Sequence, residues 1–263
     1  MQYLPALTTA QLPDSIVQIT GPILTSRKAA GGATASVLLI ESRHGRYAIK
    51  RAHQAPFGDW LRREYEVLAA LASTGLPVPH AHLYLEQPLG VHWMVMDQLP
   101  GQPLRRMLPG AARPRHALLE QYGRLLAQVH SCPLPDALRA DPHPWLDHML
   151  ARAADALEHY FVDGNAALLQ RLTTWRPAAI APALIHGDAT CDNILVDGAT
   201  ISGLIDWSGG AWGDPRYDLA LATQPSGRAF RSRADHAAFW QGYGTAALSA
   251  AEQQYFLDLY EFF

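Results

Sequence analysis

Residues 186–206 read HGDATCDNILVDGATISGLID. Two apolar runs in this stretch, Ile194–Val196 and Thr200–Ile205, are separated by an Asp-Gly dipeptide, which suits the positive φ angles of a tight hairpin turn. Because a hairpin brings its two ends together, Asn193 and Asp206 are predicted to face one point. Convergent carboxylate and amide oxygens are the ligands that a hard cation such as Mg²⁺ prefers. The stretch therefore predicts a hairpin with a metal site at its open end.

The spacing of the acidic and amide residues indicates the chemistry of this site. Asp188 lies five residues before Asn193, which is the interval of the kinase catalytic loop, where the Asp accepts the proton of the attacking hydroxyl and the Asn binds magnesium. An Asp beside a Gly is usually only a turn former, but three groups at matched spacing favour phosphoryl transfer. We assign His186 to holding the loop in shape, with a role as a base as the alternative.

A loop of small residues near the N-terminus is a candidate cover for nucleotide phosphates. It separates two apolar runs predicted as strands, Ile23–Thr25 and Val37–Ile40. Backbone N–H groups of such a loop approach phosphate oxygens closely, although two glycines between strands are often just a turn. The residues predicted to bind the phosphates are Gly31, Gly32, Ala33, Thr34, Ala35 and Ser36.

A lysine and a glutamate downstream of that loop are predicted to form an ion pair. Lys50 ends an alternating strand, and the chain has only one other lysine, Lys28, beside nineteen arginines. A compact ammonium suits nucleotide phosphates, and kinases place such a lysine on the third strand. In the predicted helix Trp60–Leu71, the spacing puts Glu64 on the apolar face. A buried carboxylate needs a cationic partner, and Lys50 is the candidate.

The order of the elements predicts the fold. Two further strands, Ala81–Glu86 and Val91–Asp97, complete a small sheet lobe, and helices dominate from Pro114 onward. The predicted fold is α+β and kinase-like, with two lobes: residues 1–97 form a small antiparallel β-sheet lobe with one main helix, and residues 98–263 form a larger, mostly helical lobe. The later helices are predicted at His116–His130, Trp145–Phe161, Ala166–Trp175, Ala229–Tyr243 and Ala250–Phe263.

Composition and charge restrict the partners. The chain has 263 residues, of which 49% are hydrophobic, which is enough for a large core. It has no charged-then-apolar leader and no membrane-length apolar run, so the cytoplasm is expected. Residues 1–130 carry 13 Lys and Arg against 8 Asp and Glu, whereas residues 131–263 carry 8 against 16. This asymmetry favours an anion for the first half and a cation for the second, and it argues against nucleic acid as a partner.

Three motifs resemble those of the aminoglycoside phosphotransferase family of kinase-like enzymes. They are His186-Gly187-Asp188 with Asn193-Ile194-Leu195, Leu204-Ile205-Asp206-Trp207, and Trp212-Gly213-Asp214-Pro215-Arg216-Tyr217-Asp218-Leu219-Ala220. The final residues, Leu259-Tyr260-Glu261-Phe262-Phe263, are similar to the Leu-Asp-Glu-Phe-Phe ending of the aminoglycoside 3'-phosphotransferases, which are also close to this length. The resemblance covers nearly the whole chain.

This resemblance implies roles for the nucleotide-handling and catalytic residues. Asp188 would be the catalytic base, and Asn193 and Asp206 would hold Mg²⁺. Lys50, fixed by Glu64, would contact the α- and β-phosphates of ATP, with GTP left open as the nucleotide.

Further roles implied by the resemblance concern adenine, the loop and the substrate. Adenine would hydrogen-bond to the backbone of Asp97 and Leu99, and Asp218 would brace the catalytic loop. A small, hydroxylated and possibly cationic substrate would be received by the C-terminal segment and by acids of a large-lobe helix. The residues nominated for this contact are Glu261, Phe263, Asp155 and Glu158.

Two departures from the family pattern leave the substrate open. The stretch Thr223–Arg228 lacks the paired acids that bind drug ammonium groups, and Cys191-Asp192 replaces the common pair before the Asn. An aminoglycoside is the first expectation, and macrolides, choline, homoserine and sugars are alternatives. A nucleotide-binding pseudokinase with a regulatory role is a further alternative. It is disfavoured because the residues for phosphate, proton and metal are all present: Lys50, Asp188, Asn193 and Asp206. A metal-dependent hydrolase would need more histidine ligands at suitable spacing than the sequence offers.

Overall fold

The computed structural model describes residues 7–29, 34–108, 112–138, 144–224 and 229–263. The chain forms two compact units. The first comprises Met1–Pro100 with Gly203–Gly209, and the second comprises Gly101–Ser202 with Gly210–Phe263. Residues 203–209, which the sequence analysis assigned to the C-terminal lobe, therefore lie with the first unit.

The first unit is built on one five-stranded antiparallel sheet. Its elements are α1 (Asp14–Thr20), β1 (Ile23–Lys28), β2 (Ser36–Ser42), β3 (Arg46–His53), α2 (Phe57–Leu71), β4 (Ala81–Gln87) and β5 (Val91–Asp97). The strand order is β1-β2-β3-β5-β4. Each pairing thus joins strands that are consecutive in the chain, except the pairing of β3 with β5.

The two faces of this sheet are covered differently because successive strand residues point to opposite faces. On one face, Ile40 of β2 and Ile49 of β3 form a buried cluster with Ile16 of α1. The opposite face receives α2, whose Leu61, Leu68 and Leu71 are buried. Because β3 is the middle strand, both its faces are covered, and Lys50 is therefore buried although it is charged.

The second unit is mostly helical, with short strands between the helices. Its elements are β6 (Gln102–Pro103), α3 (Leu104–Met107), α4 (Ala112–Ser131), α5 (Trp145–His159), α6 (Ala166–Thr174), β7 (Ala183–Ile185), β8 (Ile194–Asp197), β9 (Thr200–Leu204), β10 (Ala211–Gly213), α7 (Pro215–Ala222), α8 (Arg233–Tyr243) and α9 (Ala250–Tyr260). The last two residues of β9 belong to the first unit. In the part of the chain that the structure describes, no helix is long and apolar enough to cross a membrane.

The largest apolar cluster of the second unit joins α5, α6, α7 and α9. Tyr217 and Leu221 of α7 pack there with Phe256 and Leu259 of α9 and with Met149 of α5. Every residue of α7 from Arg216 to Ala222 is buried. Because α7 is packed on all sides in this core, its side chains are held in place by their neighbours.

A second helix pair, α4 and α8, crosses at very short range. A Cβ built on Gly242 of α8 would lie 1.9 Å from the backbone oxygen of Glu120 in α4, and one on Gly123 of α4 would lie 2.1 Å from that of Phe239. Such contacts are far inside van der Waals distance, so both positions require glycine for the observed crossing.

Several element boundaries differ from the predictions. Helix α8 begins at Arg233 rather than Ala229, because Ser232 and Asp235 form a capping box at that point. Helix α9 ends at Tyr260, three residues before the predicted end, and α5 ends at His159 rather than Phe161. The predicted hairpin is confirmed, with β8 and β9 adjacent and Gly198 at a φ of 60°. Helices α1, α3 and α7 were not predicted from the sequence.

The helix crossing gives a stability prediction. In an ordinary helix, Gly→Ala stabilises by about 0.5–1 kcal/mol, but Gly242→Ala places a methyl against the Glu120 backbone. We expect it to lower the free energy of unfolding by about 1–3 kcal/mol through overpacking, measured by urea denaturation. Gln241→Ala, at the exposed neighbouring position, is the control and should change the free energy by less than about 0.5 kcal/mol. A stabilised Gly242→Ala protein would contradict the close crossing.

Candidate active site

The first unit contains a buried group of three charged residues. Lys50 Nζ lies 2.6 Å and 2.8 Å from the two carboxylate oxygens of Glu64, and it also donates to the carboxylate of Asp206. The exposed fractions of Lys50 and Glu64 are only 6% and 4%, whereas the Asp206 side chain is 44% exposed. The contact between Lys50 and Glu64 is the one that the helix spacing predicted. Asp206 is therefore the member of the group that is open to a ligand.

A short turn after β9 holds Asp206 in this group. Asp206 has a φ of 66°, a left-handed conformation that Asp tolerates better than most residues. The next residue, Trp207, is fully buried, and its indole N–H donates to the backbone oxygen of Leu204 at 2.9 Å. The backbone of Trp207 also hydrogen-bonds to Glu64. The turn and α2 are thus tied together through the carboxylate that pairs with Lys50.

The charge on Lys50 is maintained by its two acidic neighbours. Burial acts to lower the pKa of Lys50, but the carboxylates of Asp206 and Glu64 outweigh it and raise the pKa above its ordinary value. The lysine therefore remains an ammonium group in a dry environment. A fixed, poorly hydrated cation of this kind is suited to binding an anion such as a phosphate.

The second unit holds Asp188 and Asn193 in one loop. The Asn193 side-chain amide donates to the backbone oxygen of Asp188 at 2.8 Å and to its Oδ2 at 2.7 Å. Asn193 is buried, and Asp188 is half-buried. The amide N–H groups are consequently used inside the loop, and Oδ1 is the amide atom outside these two bonds. The five-residue spacing places the two side chains in direct contact.

A fully buried carboxylate on α7 braces this loop. The Asp218 side chain accepts hydrogen bonds from the backbone N–H groups of His186 at 2.6 Å and Gly187 at 2.8 Å. Burial acts to raise the pKa of Asp218, but the hydrogen bond and charge interaction with His130 and the backbone hydrogen bond from His186 outweigh it and lower the pKa. The brace is therefore an ionised carboxylate, and it fixes the backbone immediately before Asp188.

His186 lies inside the loop support. Its side chain is fully buried, and its Nδ1 accepts the backbone N–H of Asp188 at 3.1 Å. This contact is of the kind expected for a residue that holds the loop in shape.

Two residues of the site were missed by the sequence analysis. His130 of α4 lies with Nε2 3.2 Å from Asp218, and its Nδ1 lies 2.9 Å from the hydroxyl of Tyr243. Tyr260, at the end of α9, donates its hydroxyl to Oδ1 of Asp188 at 2.9 Å. No sequence signal marked either residue, because both contacts join positions more than seventy residues apart. Tyr260 was visible only as the residue that replaces Asp in the C-terminal motif.

The residues nominated for the nucleotide are only partly described. Gly31, Gly32 and Ala33 lie outside the described residues, while Thr34 and Ala35 precede β2, which starts at Ser36.

Two further residues were nominated for adenine. Asp97 donates its backbone N–H to the oxygen of His80 at 2.9 Å, so this N–H is already engaged. The side chain of Leu99 packs against Gly203, where a Cβ would lie 2.4 Å from it.

The residues nominated for the substrate are exposed, and three of them contact other residues of the second unit. Asp155 lies 3.1 Å from Nδ1 of His159 in the same helix, and Glu158 is exposed on that helix. Glu261 is exposed, and its backbone oxygen accepts from Gly164. The ring of Phe263 lies 4.9 Å from the guanidinium of Arg152. Arg152 of α5 therefore lies against the ring of the last residue.

The two predicted metal ligands each offer an oxygen donor of the type that Mg²⁺ prefers. Asn193 of the second unit has an amide oxygen, and Asp206 of the first unit has a partly exposed carboxylate. Among the described residues, no cluster of three or more His, Cys, Asp and Glu has the arrangement of a metal site.

Comparison with known proteins identifies relatives along the full length. The chain is 26% identical over 264 residues to an aminoglycoside 3'-phosphotransferase of Niallia circulans, a match that covers 97% of this chain and 99% of the relative. It is 28% identical over 211 residues to a homoserine kinase of Pseudomonas aeruginosa, covering 76% of this chain and 64% of that kinase.

A solved structure shares the fold. The crystal structure of an aminoglycoside 3'-phosphotransferase of type VIII superposes with a TM-score of 0.75 at 25% identity, covering 95% of this chain and 98% of that one. This likeness confirms the predicted kinase-like α+β fold. The model of the phosphotransferase enzyme family matches residues 25–254, and the chain therefore belongs to the phosphotransferase enzyme family.

Proposed function

We propose that this phosphotransferase uses ATP and Mg²⁺ to phosphorylate a hydroxyl group of a small molecule, with an aminoglycoside as the leading substrate. The observation that carries the proposal is the loop in which Asp188 contacts Asn193 and is braced by Asp218. Such an arrangement orients a carboxylate to accept a proton from an alcohol. Support for the substrate comes from the relative of matching length, an aminoglycoside 3'-phosphotransferase.

The proposed mechanism is mainly positioning and charge stabilisation. Asp188 hydrogen-bonds to the acceptor hydroxyl and takes its proton as the oxygen attacks the γ-phosphorus. Lys50, held by Glu64, binds the phosphate oxygens of the nucleotide. Asn193 and Asp206 would hold Mg²⁺, which supplies charge neutralisation at the phosphates when bound. Because the transition state of phosphoryl transfer is loose, the protein contributes little covalent chemistry.

A screen of acceptors tests the proposal directly. The full chain is incubated with ATP, Mg²⁺ and one acceptor at a time, and ADP release is followed by a coupled assay. The acceptors are aminoglycosides, macrolides, homoserine, choline and sugars. We expect aminoglycosides to stimulate ADP release. Stimulation by homoserine alone would contradict the aminoglycoside assignment but retain the phosphotransfer, and no stimulation by any acceptor would favour a regulatory nucleotide-binding role.

Replacement of the proposed base tests its role. Asp188→Asn keeps the size of the side chain but removes the proton acceptor, so we expect kcat for the acceptor to fall about 10²–10⁴-fold, with ATP binding nearly unchanged. Asp192→Asn is a matched control because Asp192 lies in the same loop, is exposed and pairs with Arg105. Its kcat should remain within about twofold of the native value, since surface ion pairs contribute little. A fully active Asp188→Asn protein would remove Asp188 from this role.

The buried ion pair allows stability and activity to be separated. Lys50→Met leaves the Glu64 carboxylate buried without its lysine, so we expect a loss of about 3–5 kcal/mol in unfolding free energy together with loss of activity. The double replacement Lys50→Met with Glu64→Gln removes both charges and should recover most of that stability. Activity should stay low in the double variant, because the phosphate-binding cation is still absent. Recovery of activity along with stability would show that the lysine has only a structural role.

A further inference from the structure

The hydroxyl of Tyr260 contacts Asp188, the carboxylate that the proposed reaction assigns to the acceptor hydroxyl. It donates to Oδ1 of Asp188 at 2.9 Å, while Asn193 donates to Oδ2 at 2.7 Å. Both oxygens of the carboxylate therefore already accept a protein hydrogen bond. An ionised carboxylate has about two acceptor positions on each oxygen, and Tyr260 fills one of the two on Oδ1.

The partner of this hydroxyl distinguishes Tyr260 from other tyrosines of the unit. Tyr122 and Tyr255 are buried, and their hydroxyls donate to the backbone oxygens of Ala189 and Leu172. Backbone carbonyls are the usual way to satisfy a buried phenol. Tyr260 is only partly buried, yet its hydroxyl donates to the carboxylate of Asp188, the proposed base. Satisfaction of a buried donor therefore does not account for the contact.

The core holds Tyr260 in this position. Leu259 and Phe262 on either side of it have exposed fractions of 0% and 1%, and the Tyr260 ring packs edge-on against Tyr217 with centroids 6.3 Å apart. The phenol is also a donor and not a base, because burial, and then the charge of Asp188, raise the pKa of Tyr260 above its ordinary value. The C-terminal segment thus presents a neutral O–H group to Asp188 from a fixed position.

We infer that Tyr260 is a water-excluding residue: its hydroxyl takes the place of the acceptor hydroxyl on Asp188 in the free enzyme and is displaced when the acceptor binds. This inference rests on the proposed function. Without an acceptor, a water molecule on Asp188 would attack the γ-phosphorus, pass its proton to the carboxylate and break the bond to the β-phosphate oxygen, giving ADP and inorganic phosphate. The phenol occupies one of the two acceptor positions of Oδ1, and it thereby competes with a water molecule for the carboxylate.

Tyr260→Phe tests the inference because it removes the hydroxyl and keeps the ring. With ATP and Mg²⁺ but no acceptor, we expect its ADP release to rise about fivefold or more over the native chain. The rise should disappear in the double variant Tyr260→Phe with Asp188→Asn. With an acceptor present, its KM should fall about fivefold, the loss of one competing hydrogen bond, while kcat stays within about threefold. Tyr255→Phe, on the same helix but bonded to Leu172, is the control and should show no rise in ADP release.

The outcomes separate this inference from the function on which it rests. An unchanged or lower acceptor-independent rate in Tyr260→Phe, with native transfer to an acceptor that depends on Asp188, overturns the inference and leaves the phosphotransferase intact. A tenfold fall in kcat without a fall in KM also overturns it, because Tyr260 would then position the carboxylate. If neither the native chain nor the variant releases ADP under any condition, the proposed function and the inference fail together. Unfolding curves that match the native chain confirm that each variant is folded.

Discussion

The carboxylate of Asp218 is the constraint on which the rest of the second unit depends. It is fully buried in a helix that runs through the core, and it binds two successive backbone N–H groups just before Asp188. Burying an ionised carboxylate costs several kcal/mol unless it is hydrogen-bonded and compensated by charge. Here His130 and the loop backbone supply that compensation. The loop geometry and the ionisation of Asp218 therefore depend on one another. Protonation of Asp218 would weaken the hydrogen bonds that hold the loop, and a change in the loop would remove donors that stabilise the ionised carboxylate.

The first unit also contains buried charges that are paired, but one member of its group is partly exposed. Lys50 and Glu64 neutralise one another inside the sheet lobe, and such a pair is weak evidence for stability because apolar residues of equal size are often as good. The third member, Asp206, is partly exposed and keeps the group in reach of solvent. The exposed carboxylate of Asp206 is therefore the part of this group that a ligand can reach.

The sequence predicted those parts of the molecule that depend on short-range patterns. Helical spacing placed Glu64 opposite Lys50, and the Asp-Gly dipeptide located the hairpin, because both follow from local geometry. Contacts set by tertiary packing left no such pattern. His130 meets Asp218, and Tyr260 meets Asp188, only after α4, α7 and α9 have packed. The short helix α7 was not predicted either. A helix that is buried on every face has no alternation of apolar and polar residues at the helical period.

The surface charge of the second unit bears less on the substrate than the sequence implied. The acidic excess of residues 131–263 predicted a cationic partner, but residues 101–130 belong to the same unit and add five Arg against one Glu. Arg105 of this added segment pairs with Asp192. Acids that are neutralised locally add little to the field that a distant cation experiences. The assignment of an aminoglycoside therefore depends on the relative of matching length and on the few acids at the C-terminal end.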